Sequence, residues 1–289
     1  MKPFDYLLPS HLAEAAEAAG AYGASARLLA GGTDLTVALR HGHISTDLVI
    51  DLKDVAELKS SISNEGQVLR VSAGTTMSEL CTYLAARDLF PALQEAASVV
   101  GSIQIRNRAT LAGNICNASP AADTVPVLAA LGSEVEIYGP NGSRTRTVAD
   151  FIEGNRKIDL QRGELVIAVR IPLPQTDQGS AFDRITRRRG VDLATTNMCC
   201  TISAEGEVVF AFGAVSPRPL VVHDESGVLG NPDAAEEDRS EAIQAMAAHA
   251  TPISDVRASA AYRTDMLCVM AERALKSAHG RLRGAKADA

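Results

Sequence analysis

A two-part α+β fold is predicted from three observations. A short apolar strand runs through glycines into a helix; a second, near-continuous apolar strand follows that helix; and after position 180 three strand-like segments on short turns give way to helices alone. The first two features favour parallel βαβ pairing. The third reads as an antiparallel meander covered by helices.

In chain order, 11–19 reads as a short alanine-rich helix capped by Ser10 and ended by Gly20 and Gly23. The strand at 26–30 enters Gly31-Gly32-Thr33-Asp34-Leu35 directly, and helical character then lasts to Gly42. Strand, glycine turn and helix start is the order in which unpaired N–H groups and the helix dipole point at an anion. DLVIDL at 47–52 and QVLRVSA at 67–73 are further strands. Thr76-Met77-Ser78-Glu79 has the spacing of a capping box, opening a helix that turns Leu80, Tyr83 and Leu84 inward before Pro91 interrupts it. Segments 134–138 and 144–148 flank Pro140-Asn141-Gly142-Ser143, a hairpin signal. ELVIAVRI at 164–171 is a strand stopped by Pro172 and Pro174, and a linker follows. The meander occupies 181–187, 195–203 and 208–212; helices follow at 239–249 and 256–279, with a disordered tail expected over 281–289.

The stretch RNRATLAGNICNASPAADTVPVLAAL at 106–131 sits at the centre of the functional reading. Thr110-Leu111-Ala112-Gly113-Asn114 puts little bulk beside the backbone, so an anion such as phosphate could approach its N–H groups. Asp123 offers a carboxylate to ligand hydroxyls, and Thr124-Val125-Pro126 opens a short helix closed by Gly132. Taken alone, the stretch reads equally well as a small-residue loop packed under a neighbour. Asp34 and Asp123 each also read as helix caps.

Composition excludes several classes. The chain has 289 residues, enough for one large domain or two to three packed ones, and a net charge of −7 without a basic face, which argues against nucleic acid. Nor is there a basic cluster beside either glycine loop. Cys81, Cys116, Cys199, Cys200 and Cys268 are an odd number with no C-x-x-C pair, and are expected to be reduced thiols. No apolar run near either end suits a signal peptide or membrane span, so a cytoplasmic location is expected. His41 and His43, two apart at a helix end, fall on different faces and read as surface residues. Cys199 and Cys200, adjacent in a strand, point to opposite sides. Arg187-Arg188-Arg189 reads as a solvated strand end, or as a site for the ligand phosphate or an acidic partner.

Five ordered blocks carry a family resemblance: LLAGGTDL (28–35), QIRNRATLAGNICNASPAADTVPVLAAL (104–131), ELVIAVRIPLP (164–174), FGAVSPRP (212–219) and ISDVRASAAYRTDML (253–267). Together they resemble the flavin-binding medium subunit of the molybdenum hydroxylases, the group of xanthine dehydrogenase and aerobic carbon monoxide dehydrogenase. The resemblance implies two α/β subdomains of the vanillyl-alcohol-oxidase-like (PCMH-type) fold, at about 1–55 and 56–175. A C-terminal domain of small antiparallel sheet and helices, 180–280, would follow. It also implies non-covalent FAD, with Leu29, Ala30, Gly31, Gly32, Thr33, Asp34 and Leu35 forming one pyrophosphate loop and Thr110, Leu111, Ala112, Gly113 and Asn114 the other. Asp123 would meet the hydroxyl-bearing chain, Ile167 an apolar part of the cofactor, and Asp192-Leu193 the ring. This chain departs from the pattern at Ala112, where relatives have a second glycine, and at Asp183, where some carry lysine.

The resemblance implies an electron-transfer subunit with no catalytic base, nucleophile or metal of its own. A large molybdopterin-binding subunit and a small 2Fe–2S subunit are the implied partners, in a dimer of heterotrimers. This chain lacks cysteine spacings for such clusters. The alternatives are a stand-alone FAD oxidase of the same fold and a partner-binding scaffold without flavin.

Overall fold

The first glycine turn lies at the edge of a small parallel sheet. In the computed structural model, which describes residues 2–85 and 87–287, β1 (Asp5–Leu7), α1 (Leu12–Tyr22), β2 (Ala26–Leu29), α2 (Leu35–Arg40) and β3 (Leu48–Asp51) form this unit. The sheet order is β1-β3-β2, with both pairings parallel. All four β3 residues are buried: Leu48, Val49 and Ile50 as the apolar run of a central parallel strand, and Asp51 as a carboxylate paired with Lys53 and Tyr6. Strand β1 was not anticipated; its three residues are largely exposed and carry no periodic signal. Helix α1 has no side-chain cap from Ser10. It passes through Gly20 and ends at Gly23, which has φ 55°.

A five-stranded antiparallel sheet follows. It contains β4 (Ile62–Asn64), β5 (Val68–Ser72), β6 (Glu134–Gly139), β7 (Gly142–Thr147) and, after α8 (Val148–Phe151), β8 (Ile152–Gly154) and β9 (Lys157–Ile158), the strand β10 (Leu165–Pro172). Its order is β4-β5-β10-β6-β7, while β8 and β9 pair separately. The β6–β7 hairpin turns as its sequence predicts, with Gly142 at φ +99°. Between β5 and β6 lie α3 (Met77–Ala85), α4 (Pro91–Ser98), α5 (Ile103–Arg106), α6 (Leu111–Cys116) and α7 (Thr124–Ala130). The capping box forms: Thr76 N–H donates to Glu79 Oε2 at 2.8 Å and Glu79 N–H to Thr76 Oγ1 at 3.3 Å. Helix α3 ends at Ala85, ahead of Pro91, which instead starts α4.

The C-terminal part is a four-stranded antiparallel sheet of β11 (Gln178–Ile185), β12 (Thr196–Ser203), β13 (Val208–Gly213) and β14 (Leu220–His223), in sequential order. Helices α9 (Glu236–Ala247) and α10 (Ala260–Ala287) pack with it around a core that includes Phe210, Phe212, Leu267 and Met270. The pleat of β12 sends Cys199 into the core of the N-terminal part and Cys200 into this second core, so the two thiols are separated as adjacent strand residues must be. Helix α10 runs on through 281–287, where the sequence suggests disorder. Leu282 is buried, and Arg281 donates to Glu95 and to the Ser180 carbonyl. Residues 288–289 of that expected tail lie outside the described residues. No helix among the described residues is long and apolar enough to cross a membrane.

Arg263 explains part of the 253–267 block. Its buried guanidinium donates to the Thr195 and Ala214 carbonyls and to Asp255 Oδ1 at 2.8 Å, tying α10 to the open end of the β12–β13 hairpin. Burial raises the Asp255 pKa, but the N–H groups of Arg257 and Ala258 and the Arg263 contact outweigh it and bring the value down to about 2. A depressed folded-state value means stability that is present above the unfolded value, roughly 3.9, and lost as pH falls through the folded one. Urea unfolding of wild type and Asp255→Asn should therefore converge as pH falls from about 4 to 2. A difference that persists unchanged to pH ~2 contradicts the pairing.

Candidate functional site

Two glycine segments from different parts of the chain meet here. The first, Ala30 to Asp34, connects β2 to α2, and Gly32 takes φ +77° to make the turn. Among the described residues, no turn or side chain takes up the N–H groups of Gly31, Gly32, Thr33 and Asp34. The Asp34 side chain does not cap α2 and stands exposed. A Cβ at Gly31 would lie 2.0 Å from the Arg108 carbonyl oxygen and 3.0 Å from Ala109 Cα. The first glycine segment is therefore in backbone contact with Arg108-Ala109, the residues that lead into the second.

The second segment is the cap and first turns of a short helix rather than an open loop. Thr110 is the N-cap of α6, and its Oγ1 accepts from Gly113 N–H at 3.0 Å. A Cβ at Gly113 would sit 2.9 Å from that oxygen. Ala112, the departure from a double glycine, turns its methyl into the core and is 4% exposed. Asn114 Oδ1 accepts from Thr124 Oγ1 at 2.7 Å, linking α6 to the start of α7 beside Asp123.

Asp123 is 7% exposed and does not cap α7. Its Oδ2 accepts from Arg184 Nη1 at 2.8 Å and its Oδ1 from Asn197 Nδ2 at 3.1 Å. Burial pushes its pKa up, against the lowering effect of Arg184 and Asn197. The acid is thus the joint between the second glycine segment and the C-terminal sheet. Sequence reading missed both partners. Asn197 Oδ1 is buried and has no hydrogen-bond partner among the described residues, and a Cβ at the facing Gly213 would come within 2.2 Å of it.

Ile167 lies where the β10–β6 register shifts between Val166 and Ala168, a bulge that redirects one side chain, and it is 9% exposed. Leu193 is half-exposed in the turn between β11 and β12, next to the equally exposed Val191. Arg187 and Arg188 staple this turn, pairing with Asp192 at 3.0 Å and donating to the Val191 carbonyl at 2.7 Å. Asp183, on β11, is raised in pKa by burial and accepts from Arg184 N–H at 2.8 Å. His41 and His43 do meet, their rings stacking at 5.8 Å, because α2 ends at Arg40 and helical facing no longer applies. No third metal-ligating group joins them among the described residues.

A cleft of about 210 Å³ opens beside the contact between the glycine segments. Gly31, Thr110 and Gly74 line it together with Lys53, Lys59 and Arg108. This corrects the expectation of no basic cluster near the glycine loops: the cations come from separate segments and converge in space.

The family model described as the FAD binding domain in molybdopterin dehydrogenase matches residues 2–174, and that for the CO dehydrogenase flavoprotein C-terminal domain matches 180–278. The chain belongs to the FAD-binding medium-subunit family of molybdenum hydroxylases. Within this family it is 31% identical to the carbon monoxide dehydrogenase medium chain of Afipia carboxidovorans, over 96% of this chain and 97% of that one. The xanthine dehydrogenase FAD-binding subunit of Escherichia coli O157:H7 is 28% identical, covering 88% of each. Among solved structures, a chain of Cu,Mo-CO dehydrogenase superposes with a TM-score of 0.88 at 31% identity, covering 97% of this chain and 100% of that one. A chain of quinoline 2-oxidoreductase from Pseudomonas putida 86 gives 0.89 at 28% identity, covering 98% and 100%. The mixed N-terminal part and C-terminal antiparallel sheet are those of a medium subunit. The chain is an oxidoreductase subunit whose family binds FAD, with molybdenum and iron–sulfur cofactors on other subunits.

Proposed function

We propose that this chain holds non-covalent FAD between the subdomains at about 1–55 and 56–175 and relays electrons from a small 2Fe–2S subunit to an external acceptor. A large molybdopterin subunit would oxidise the substrate, in a cytoplasmic dimer of heterotrimers. The observation that carries the reading is the meeting of two glycine segments at a cleft, with the N–H groups of Gly31 to Asp34 untaken among the described residues. A dinucleotide diphosphate fits such a cradle, because backbone N–H groups already in position lose little entropy on binding.

In this reading Leu29 to Leu35 and Thr110 to Asn114 hold the diphosphate. Asp123, fixed by Arg184 and Asn197, retains lone pairs for ligand hydroxyls. Ile167 presents an apolar surface at the β10 bulge, and Leu193 covers the ring from the β11–β12 turn. When bound, the flavin supplies the redox chemistry that no side chain here provides. The chain's own part is to bind and orient the flavin, so no general base is needed.

The reading is tested by adding anaerobically reduced iron–sulfur subunit to the reconstituted complex: the flavin band should bleach. Bleaching of the isolated chain by an organic substrate would instead favour a stand-alone oxidase. Gly113→Val is expected to abolish stable flavin binding, because a branched side chain both meets Thr110 Oγ1 and fills space at the first turn of α6. Flavin titration checks this, and full stoichiometric uptake by the variant contradicts it.

A further inference from the structure

The cleft contains charge that the backbone cradle alone does not call for. Lys53 is held at its rim by Asp51, whose side chain is fully buried and also accepts from Tyr6 OH; burial of that carboxylate is outweighed by these bonds and its pKa is lowered. Lys59 is tied to Asp54 at 3.6 Å and donates to the Lys53 carbonyl at 3.0 Å. Both lysines thus have counter-ions. Arg108 has none: among the described residues its guanidinium makes no hydrogen bond or ion pair. Yet the Arg108 carbonyl is the atom packed against Gly31. The uncompensated cation and the untaken N–H groups therefore belong to adjoining residues at one cleft.

We propose that Arg108, flanked by Lys53 and Lys59, is a side-chain ligand for the diphosphate of the adenosine half of the dinucleotide. The cleft would then be an ADP subsite that selects FAD over the mononucleotide. This rests on the functional reading above. A guanidinium matches two phosphate oxygens at once, which gives geometric selectivity as well as charge. The two lysines line the same cleft but are each paired with a carboxylate, which leaves Arg108 as the unpaired cation there among the described residues. Since the cleft is open to solvent, the attraction is screened by salt.

The test is calorimetric titration of the flavin-free full-length chain with FAD, ADP and FMN, at low and high salt, for wild type, Arg108→Gln and Arg108→Lys. Wild type should bind ADP, and ADP should compete with FAD. Arg108→Gln should weaken FAD and ADP by about tenfold or more, flatten the salt dependence of both and leave FMN affinity unchanged. Arg108→Lys should fall between. Because the Arg108 side chain has no partner among the described residues, the melting temperatures should coincide. Arg108→Gln matching wild type for ADP and FAD, or ADP failing to compete with FAD, overturns the subsite. A wild-type chain that binds ADP in an Arg108-dependent way but takes no FAD overturns the functional reading and leaves the subsite standing.

Discussion

Gly31→Ala is expected to melt on the order of 10 °C below wild type and to lose flavin affinity by at least ~100-fold. The added Cβ would lie 2.0 Å from the Arg108 carbonyl oxygen, 2.7 Å from its carbon and 3.0 Å from Ala109 Cα. Those are backbone atoms, so no rotamer change relieves the overlap. The opposing segment is also held in place: Ala109 N–H donates to the Ile105 carbonyl at 2.7 Å, and the Ala109 carbonyl accepts from Met77 N–H at 2.8 Å. The two glycine segments must therefore part, and flavin loss and destabilisation should appear together. Gly42→Ala is the control, since Gly42 has φ +72° with nothing within 4 Å of a built Cβ. Only the ordinary cost of a left-handed alanine, roughly 1 kcal/mol, applies there. A thermal melt and a flavin titration decide the matter. A Gly31→Ala chain indistinguishable from Gly42→Ala in both contradicts the contact.

Asp123→Ala carries the second large effect, about 3–5 kcal/mol of unfolding free energy. Arg184, whose side chain is 14% exposed, would lose its counter-ion at 2.8 Å. Asn197 Nδ2 would keep only the Ala122 carbonyl at 3.3 Å. The cost arises mainly from leaving a desolvated cation unpaired, not from a large net value of the pair. It follows that Asp123→Ala combined with Arg184→Met should recover much of the loss in urea unfolding, although flavin affinity stays low. If the double variant is destabilised by the sum of the single changes, the two residues are not coupled.

The same residues mark what the sequence could and could not reveal. The parallel unit was legible because the strands at 26–29 and 48–51 flank a glycine turn and a helix, so period and punctuation agree. The meander was legible for the same reason, from alternation and short turns, although β14 lay beyond the segments expected. The second glycine segment reads as a loop because α6 has six residues and glycine at the position where a capping box would place an acid. Gly31 has a packing reason to lack a side chain that the sequence did not show. Sequence suggested room for a phosphate, whereas the Cβ space is taken first by Arg108-Ala109. Long-range pairing was not legible: Arg184 lies 61 positions from Asp123 and Asn197 lies 74 away. The convergence of Lys53, Lys59 and Arg108 on one cleft depends on packing of the 52–60 segment beside the glycine contact, which no local pattern encodes.

The central claim is that the paired glycine segments hold a flavin dinucleotide. Its most direct test is the flavin content of the purified full-length chain after incubation with excess FAD and removal of the unbound cofactor. The account predicts one FAD per chain, released intact on denaturation. A folded chain that retains no FAD, judged by a cooperative melt and the absence of flavin absorbance, would contradict it.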